Sequence, residues 1–358
     1  MLINTKNEWE VADKSGLVDV GSYSLFVSAR GPPRKPEAPV VIFITGGGAP
    51  TELYVHFHRA VSRYVRNYFY DRAGYGRSER PAVDANETTH ILNHPQPCSV
   101  CAGGNAGWQT ISSRSCTLCN DGDNSRKITA EDSAHELQQL MSAIGVKPPY
   151  MLVAHSYGGI IARTYLGLYP DDLAGMALLD TNSELLQQCL SPIPPVSFQK
   201  VTKDVDLEAL THLREESGMT DQEWDDAIAA IQRTRPAAAD EATHYSGRQL
   251  ARRMQIDDQA MGAKPLLVAT SEMPQDWRKM LTEGMRLGGG SAQDRDDAVK
   301  WMESAELFCK QVQKVQLGLS SNSKYVHFEV GHDFPIRCPD QTAEAVRALL
   351  DMVSQQRS

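Results

Sequence analysis

The sequence predicts an α/β protein built on one mostly parallel sheet with helices on its faces. Strand-like and helix-like segments alternate along the chain, a pattern typical of parallel strands joined by helical crossovers. Residues 40–45 form a continuous apolar run rich in β-branched side chains, as expected of a strand that is buried on both faces. The chain has 358 residues, of which 41% are hydrophobic and 23% charged, so it can bury a sizeable core.

Eight strands are predicted, and the first two form a hairpin around Gly21. They cover residues 17–20, 24–29, 40–45, 67–70, 150–155, 175–179, 265–270 and 324–329. Helices are predicted near residues 53–65, 295–317 and 342–355, and another follows the fifth strand. A further helix starts at Thr129, with Asp132 as its capping-box partner, and ends at Gly145.

A second unit is predicted to be inserted in the chain between two strands of the sheet. Residues 184–261 are acidic and mostly helical in pattern, and they lie between the sixth and seventh predicted strands. We interpret them as an inserted helical cap, which leaves residues 17–183 and 262–356 as the core. Substrate selectivity is expected to lie in the cap.

The stretch around Ser156 carries most of the functional information. An apolar run ends at this serine and an apolar helical pattern follows at once, which predicts a strand, a sharp turn and a helix with Ser156 at the tip. The left-handed conformation of such a turn requires small residues two positions before and after, and Ala154 and Gly158 satisfy this. The usual motif is Gly-x-Ser-x-Gly, so Ala154 is a small departure. Ser156 is therefore predicted to be a nucleophile.

Four motifs in this order resemble those of the α/β-hydrolase superfamily, in its lipase-like and esterase-like branch with a helical cap. They are Gly-Gly-Gly at 46–48, Asp-Arg-Ala-Gly-Tyr-Gly-Arg-Ser at 71–78, Ala-His-Ser-Tyr-Gly-Gly at 154–159 and Gly-His-Asp-Phe-Pro at 331–335. The resemblance covers about residues 17–355, except for a segment near 88–127. It implies the α/β-hydrolase fold, with a mostly parallel eight-stranded sheet flanked by helices and an inserted cap.

The resemblance also implies a catalytic triad. His332 is the expected general base, because it follows the last predicted strand and Gly331 allows a sharp turn before it. His155, next to the nucleophile, is interpreted as structural. The backbone N–H groups of Tyr157 and Gly47, with Gly48 as an alternative to Gly47, are the expected oxyanion donors.

Three carboxylates remain open as the acid of the triad. Many members of the superfamily carry it after the seventh strand, where Glu272 and Asp276 lie, and some carry it after the sixth strand, where Asp180 lies. The expected Gly-x-x-Asp motif after the seventh strand is missing, and Asp180 ends a buried run at the carboxyl edge of the sheet. Asp180 is the preferred prediction, with Asp276 and Glu272 as alternatives.

A cysteine-containing segment at 88–127 departs from the family pattern. It carries two Cys-x-x-Cys pairs separated by 14 residues, which is just short of the spacing of a zinc ribbon. The cysteines are Cys98, Cys101, Cys116 and Cys119. A structural zinc site, a disordered insertion and translated non-coding sequence all remain open; no other cofactor is expected.

The net charge of −9 argues against a nucleic-acid partner, which would need a basic face. No apolar run approaches the roughly 20 residues of a membrane helix, and residues 1–16 have no apolar signal core. A cytoplasmic location is expected, and the sequence makes no prediction of oligomeric state.

These features predict a serine hydrolase of the EC 3.1 type, acting on a carboxylic ester, thioester or lactone of a small molecule. The expected partner is therefore a small-molecule acyl substrate. A non-catalytic ligand-binding member, a lyase or an acyltransferase of the same fold remains the alternative.

Overall fold

The computed structural model describes residues 7–81, 127–190 and 193–357. Almost all of the predicted cysteine insertion, including the four cysteines of the possible zinc site, lies outside these residues. The zinc prediction therefore stays a prediction.

One eight-stranded sheet forms the centre of the fold, in the order β1-β2-β4-β3-β5-β6-β7-β8. β1 and β2 pair antiparallel, as do β2 and β4, and all later pairings are parallel. The strands are β1 (Lys14–Asp19), β2 (Ser24–Arg30), β3 (Val40–Ile44), β4 (Asn67–Tyr70), β5 (Tyr150–His155), β6 (Leu173–Leu179), β7 (Leu266–Thr270) and β8 (Ser323–His327). The predicted fold class is confirmed, and each of the eight predicted strands overlaps an observed one.

Helices surround the sheet. They are α1 (Glu8–Val11), α2 (Val55–Val61), α3 (Ala130–Ala143), α4 (Gly158–Leu168), α5 (Glu184–Leu190), α6 (Val196–Thr202), α7 (Leu207–Thr211), α8 (Leu213–Ser217), α9 (Asp221–Ala239), α10 (Thr243–Arg252), α11 (Met273–Arg286), α12 (Ala292–Lys314), α13 (Phe334–Arg337) and α14 (Pro339–Arg357). The predicted capping box at Thr129 is present: its hydroxyl accepts from the Asp132 amide, and the Asp132 carboxylate accepts from the Thr129 amide. Helix α11 is not among the predicted helices, and it carries Asp276, one of the candidate acids.

The two faces of the sheet bury separate apolar clusters because successive side chains of a strand point to opposite sides. In β3, Ile42 packs in the cluster that contains α3 and α4, while Phe43 packs in the one that contains α2 and α14. A third buried cluster joins α5, α6, α11 and α12. The helices between β6 and β7 are present, and the division into core and cap stays a prediction.

The strand pairing brings the carboxyl ends of the central strands together. Near these ends, His155 of β5 lies opposite Leu179 of β6, and Leu179 lies opposite Ala269 of β7. Thr270 at the end of β7 lies opposite His327 at the end of β8. Residues that follow β5, β6, β7 and β8 therefore share one edge of the sheet. In the part of the chain that the structure describes, no helix is both long and apolar enough to cross a membrane.

Candidate active site

Ser156 occupies a tight turn between β5 and α4. Its φ of 53° lies in the left-handed region, which is uncommon for a residue with a side chain. Gly158 and Gly159 allow this turn to pack closely, because a Cβ on Gly158 would collide with the Ile44 carbonyl oxygen and one on Gly159 with the Thr181 side chain. Ser156 itself is half-buried and directly follows β5 at the carboxyl edge of the sheet.

His332 lies beside this turn. Its ring centroid is 4.6 Å from that of His155, the residue that precedes Ser156. About a quarter (26%) of the His332 side chain is exposed. The hydrogen bonds of the described residues do not include one between Ser156 Oγ and His332; such catalytic contacts often tighten only when substrate binds.

Asp180 follows β6 directly and is buried, with 1% of its surface exposed. Its φ of 47° turns the chain sharply at the end of the strand. His332 Nδ1 lies 2.7 Å from Asp180 Oδ2, where it donates a hydrogen bond. The amide and hydroxyl of Ser271, which follows β7, donate to the two carboxylate oxygens at 3.0 and 2.6 Å. The Asp180 carboxylate is therefore fully hydrogen-bonded and oriented toward the imidazole.

Asp180 and His332 each stabilise the charged form of the other. Burial disfavours the protonated form of His332, but its hydrogen bond to Asp180 and the charges of Asp180, Asp333 and Asp276 outweigh burial and raise the pKa of His332. Burial likewise opposes ionisation of Asp180, yet the hydrogen bond and charge of His332 and the Ser271 hydroxyl lower the pKa of this carboxyl. This is the environment that an acid–base pair needs to stabilise an imidazolium.

The two alternative acids have other partners. Glu272 Oε1 lies 2.7 Å from His327 Nε2 and accepts from Lys310 Nζ at 3.1 Å. Asp276, on α11, accepts from the backbone N–H of His332 at 3.0 Å. Of the three candidates, only Asp180 forms a hydrogen bond with the His332 ring.

The predicted oxyanion donors are neighbours. A Cβ on Gly47 would lie 3.6 Å from Tyr157 Cβ. The Gly48 amide already donates to Tyr75 Oη at 2.9 Å, which favours the Gly47 amide over its alternative. The Tyr157 amide directly precedes α4, where the helix dipole favours negative charge. One such donor is typically worth roughly 3 kcal/mol in a transition state.

The buried side chain of Arg72 holds the loop that follows β3 and carries Gly47. The sequence did not predict this role. Arg72 donates to the carbonyls of Thr45 and Gly46, at 2.8 and 3.0 Å, and pairs with the buried Glu241 at 2.9 Å. It belongs to the 71–78 motif, which the sequence analysis left without a role in the site. Ser271 was also missed, although a polar residue at the carboxyl end of the seventh strand was an available signal.

Among the described residues, no group of three or more histidine, cysteine, aspartate or glutamate side chains is arranged to hold a metal ion.

A family model described as alpha/beta hydrolase fold matches residues 39–296, more than half of the chain. The chain belongs to the α/β-hydrolase family. The resemblance inferred from the four motifs is thereby confirmed.

Two curated relatives match nearly the whole chain. An "AB hydrolase superfamily protein" of Gibberella zeae is 26% identical over 97% of this chain and 99% of its own length. A "probable transporter" of Hormonema carpetanum is 25% identical over 98% of this chain, which spans 45% of that relative's length. Neither name specifies a substrate.

Solved structures show the same fold at low identity. A putative epoxide hydrolase of Pseudomonas aeruginosa is 12% identical with a TM-score of 0.56, over 96% of this chain and 97% of that one. A putative lipase of Acinetobacter baumannii is 13% identical with a TM-score of 0.54, over 98% and 94%. These likenesses concern the α/β-hydrolase fold alone, and a shared fold does not fix the reaction.

Proposed function

We propose that this α/β hydrolase is a serine hydrolase that cleaves a carboxylic ester, thioester or lactone of a small molecule through an acyl-enzyme on Ser156. Ser156 is the nucleophile, His332 the general base and Asp180 the acid that orients the base. The amides of Gly47 and Tyr157 form the oxyanion hole.

The first half of the reaction forms the acyl-enzyme. His332 removes the proton from Ser156 Oγ, which attacks the carbonyl carbon of the substrate. The carbonyl oxygen becomes negatively charged and is stabilised by the two amides. The tetrahedral intermediate then collapses, and His332 donates its proton to the leaving alkoxide or thiolate.

The second half of the reaction releases the carboxylic acid product. His332 removes a proton from water, and the resulting hydroxide attacks the acyl carbon. The second tetrahedral intermediate expels Ser156 Oγ, which regains its proton from His332. Asp180 keeps the imidazole in the tautomer that carries its proton on Nδ1 and stabilises the imidazolium in both halves.

The observation that carries this proposal is the 2.7 Å hydrogen bond between His332 Nδ1 and Asp180 beside a serine with left-handed backbone geometry. A serine at this position also disfavours the dehalogenase and epoxide-hydrolase reactions, since those enzymes of similar shape use an aspartate as nucleophile.

A fluorophosphonate probe tests the nucleophile. The wild-type protein is expected to be labelled at one site, and Ser156→Ala is expected to lose labelling while unfolding at the same temperature. Labelling that survives the substitution would refute the assignment of Ser156. A panel of chromogenic esters with short and long acyl chains then defines the substrate class.

A further inference from the structure

Both backbone polar groups of His332 are held by side chains. Its N–H donates to Asp276 Oδ2 at 3.0 Å, and its C=O is 3.0 Å from His155 Nε2. His332 lies outside regular secondary structure, after β8 and before α13. Side chains from two other elements therefore fix the backbone of the proposed general base.

The hydrogen bonds of His155 define which of its nitrogens carries the proton. A carbonyl oxygen only accepts, so His155 Nε2 must be the donor to His332. In a neutral imidazole the other nitrogen then accepts, and Tyr54 Oη lies 2.9 Å from His155 Nδ1 as its donor. Burial, with the charge of His332, lowers the pKa of His155 to about 3, so the ring stays neutral near pH 7.

Asp276 makes the other of these two contacts, the one to the backbone N–H of His332. A Cβ on Gly331 would collide with the Asp276 carboxylate, so the bond to the next amide requires glycine at this position. Asp276 follows β7, where many relatives carry the acid of the triad, but here it binds the backbone of the histidine instead of the ring.

We propose that Asp276 and His155 are positioning residues that together hold the backbone of His332 and thereby set the position of its ring beside Ser156. This inference rests on the proposed function, because it concerns the same base. Its physical reason is that a misplacement of the base by about 1 Å can cost on the order of 100-fold in rate.

Two substitutions of Asp276 separate its hydrogen bond from its charge. Asp276→Ala removes the acceptor, and we expect kcat for a chromogenic ester to fall on the order of 10- to 100-fold with KM little changed. Asp276→Asn keeps an amide oxygen that can accept the same N–H, and kcat is expected to recover to within about threefold of wild type. Glu283→Ala, a change at a half-buried carboxylate on the same helix that pairs with Arg286, is the matched control and should leave kcat unchanged.

The pH dependence of kcat/KM in Asp276→Asn gives a readout that a merely structural role of Asp276 would not produce. The charged groups that face His332 are Asp180, Asp276 and Asp333, and His155 contacts it as a neutral ring. Since the charge of Asp276 favours the imidazolium, Asp276→Asn should move the acid limb of kcat/KM to lower pH while kcat at its plateau is retained.

A wild-type kcat in Asp276→Ala would overturn the proposal, as would an Asp276→Asn variant as slow as the alanine. His155→Phe tests the second contact: we expect a fall in kcat of similar size, and an unchanged kcat would remove His155 from the proposal.

Amide hydrogen exchange of His332, followed by NMR, tests the contact without any variant or activity. Protection of this amide in the wild-type protein is expected, and exchange at the rate of an unbonded loop amide would contradict the inference. If the wild-type protein reacts with neither esters nor the fluorophosphonate probe, the proposed function fails instead, and the exchange result still stands by itself.

Discussion

At the residue scale, the three carboxylates considered as the acid of the triad have three different partners. Asp180 binds the Nδ1 proton of His332, Asp276 binds its amide, and Glu272 pairs with His327 and Lys310. Asp180 can reach the ring because its left-handed φ turns the chain at the end of β6. The identity of the acid is thus proposed from geometry that no local motif encodes.

Asp180→Asn tests this division. The amide keeps the size of the side chain but loses the charge that stabilises the imidazolium, so we expect kcat to fall roughly 10³- to 10⁴-fold. The acid limb of kcat/KM should also move to lower pH, because the charge of Asp180 raises the pKa of His332. Glu272→Gln, measured with the same ester, should remain close to wild type. The opposite result, a severe loss only in the Glu272 variant, would reassign the acid.

At the element scale, the sequence predicted the strands well and the site partly. The central strands β3, β5, β6 and β7 are marked by buried, mostly apolar runs that are visible locally, and the serine turn by its small residues. The choice among acids depends on β6 lying between β5 and β7, a long-range pairing that neighbouring residues do not encode. Helix α11 was missed because Pro274 resembles a loop signal, although proline is well tolerated in the first turn of a helix. The partner of the His332 amide lies on that missed helix.

The serine turn also depends on contact between elements. Gly158 begins α4 directly against the end of β3, and an added Cβ would collide with the Ile44 carbonyl oxygen and lie 2.8 Å from that of Thr45. We expect Gly158→Ala to displace α4 and the Tyr157 amide, and to reduce both kcat and the unfolding temperature. Gly16→Ala, in β1 with open space around it, is the control. Wild-type activity in Gly158→Ala would show that the turn tolerates displacement.

At the scale of the whole molecule, buried neutral histidines link stability to pH. Burial lowers the pKa of His58 to about 3, with Arg30, Arg66 and Arg59 adding to the effect. His58 stacks on Phe69 with ring centroids 4.1 Å apart, and its Nε2 has no hydrogen-bond partner. His155 has a similarly lowered pKa. Protonation of either ring therefore favours the unfolded chain.

The sign of the effect follows from these values. The unfolded chain binds these protons near pH 6.5 and the folded one only near pH 3, so the stabilisation is present above pH 6.5 and is lost as the pH falls toward 3. Each histidine should lower the free energy of unfolding by roughly 1.4 kcal/mol per pH unit within this window. Urea unfolding at a series of pH values measures the slope. His58→Phe keeps the stacking and should make the slope shallower; an identical slope in the variant would contradict this explanation.

The acyl-enzyme is the central claim, and trapping it is the most direct test. The protein is mixed with a p-nitrophenyl ester, quenched with acid within the first turnovers, and its intact mass and peptides are measured. We predict a mass increase equal to one acyl group, located on the peptide that contains Ser156 and absent from Ser156→Ala. Turnover of the ester with the adduct on another residue, or undiminished turnover in Ser156→Ala, would contradict the account.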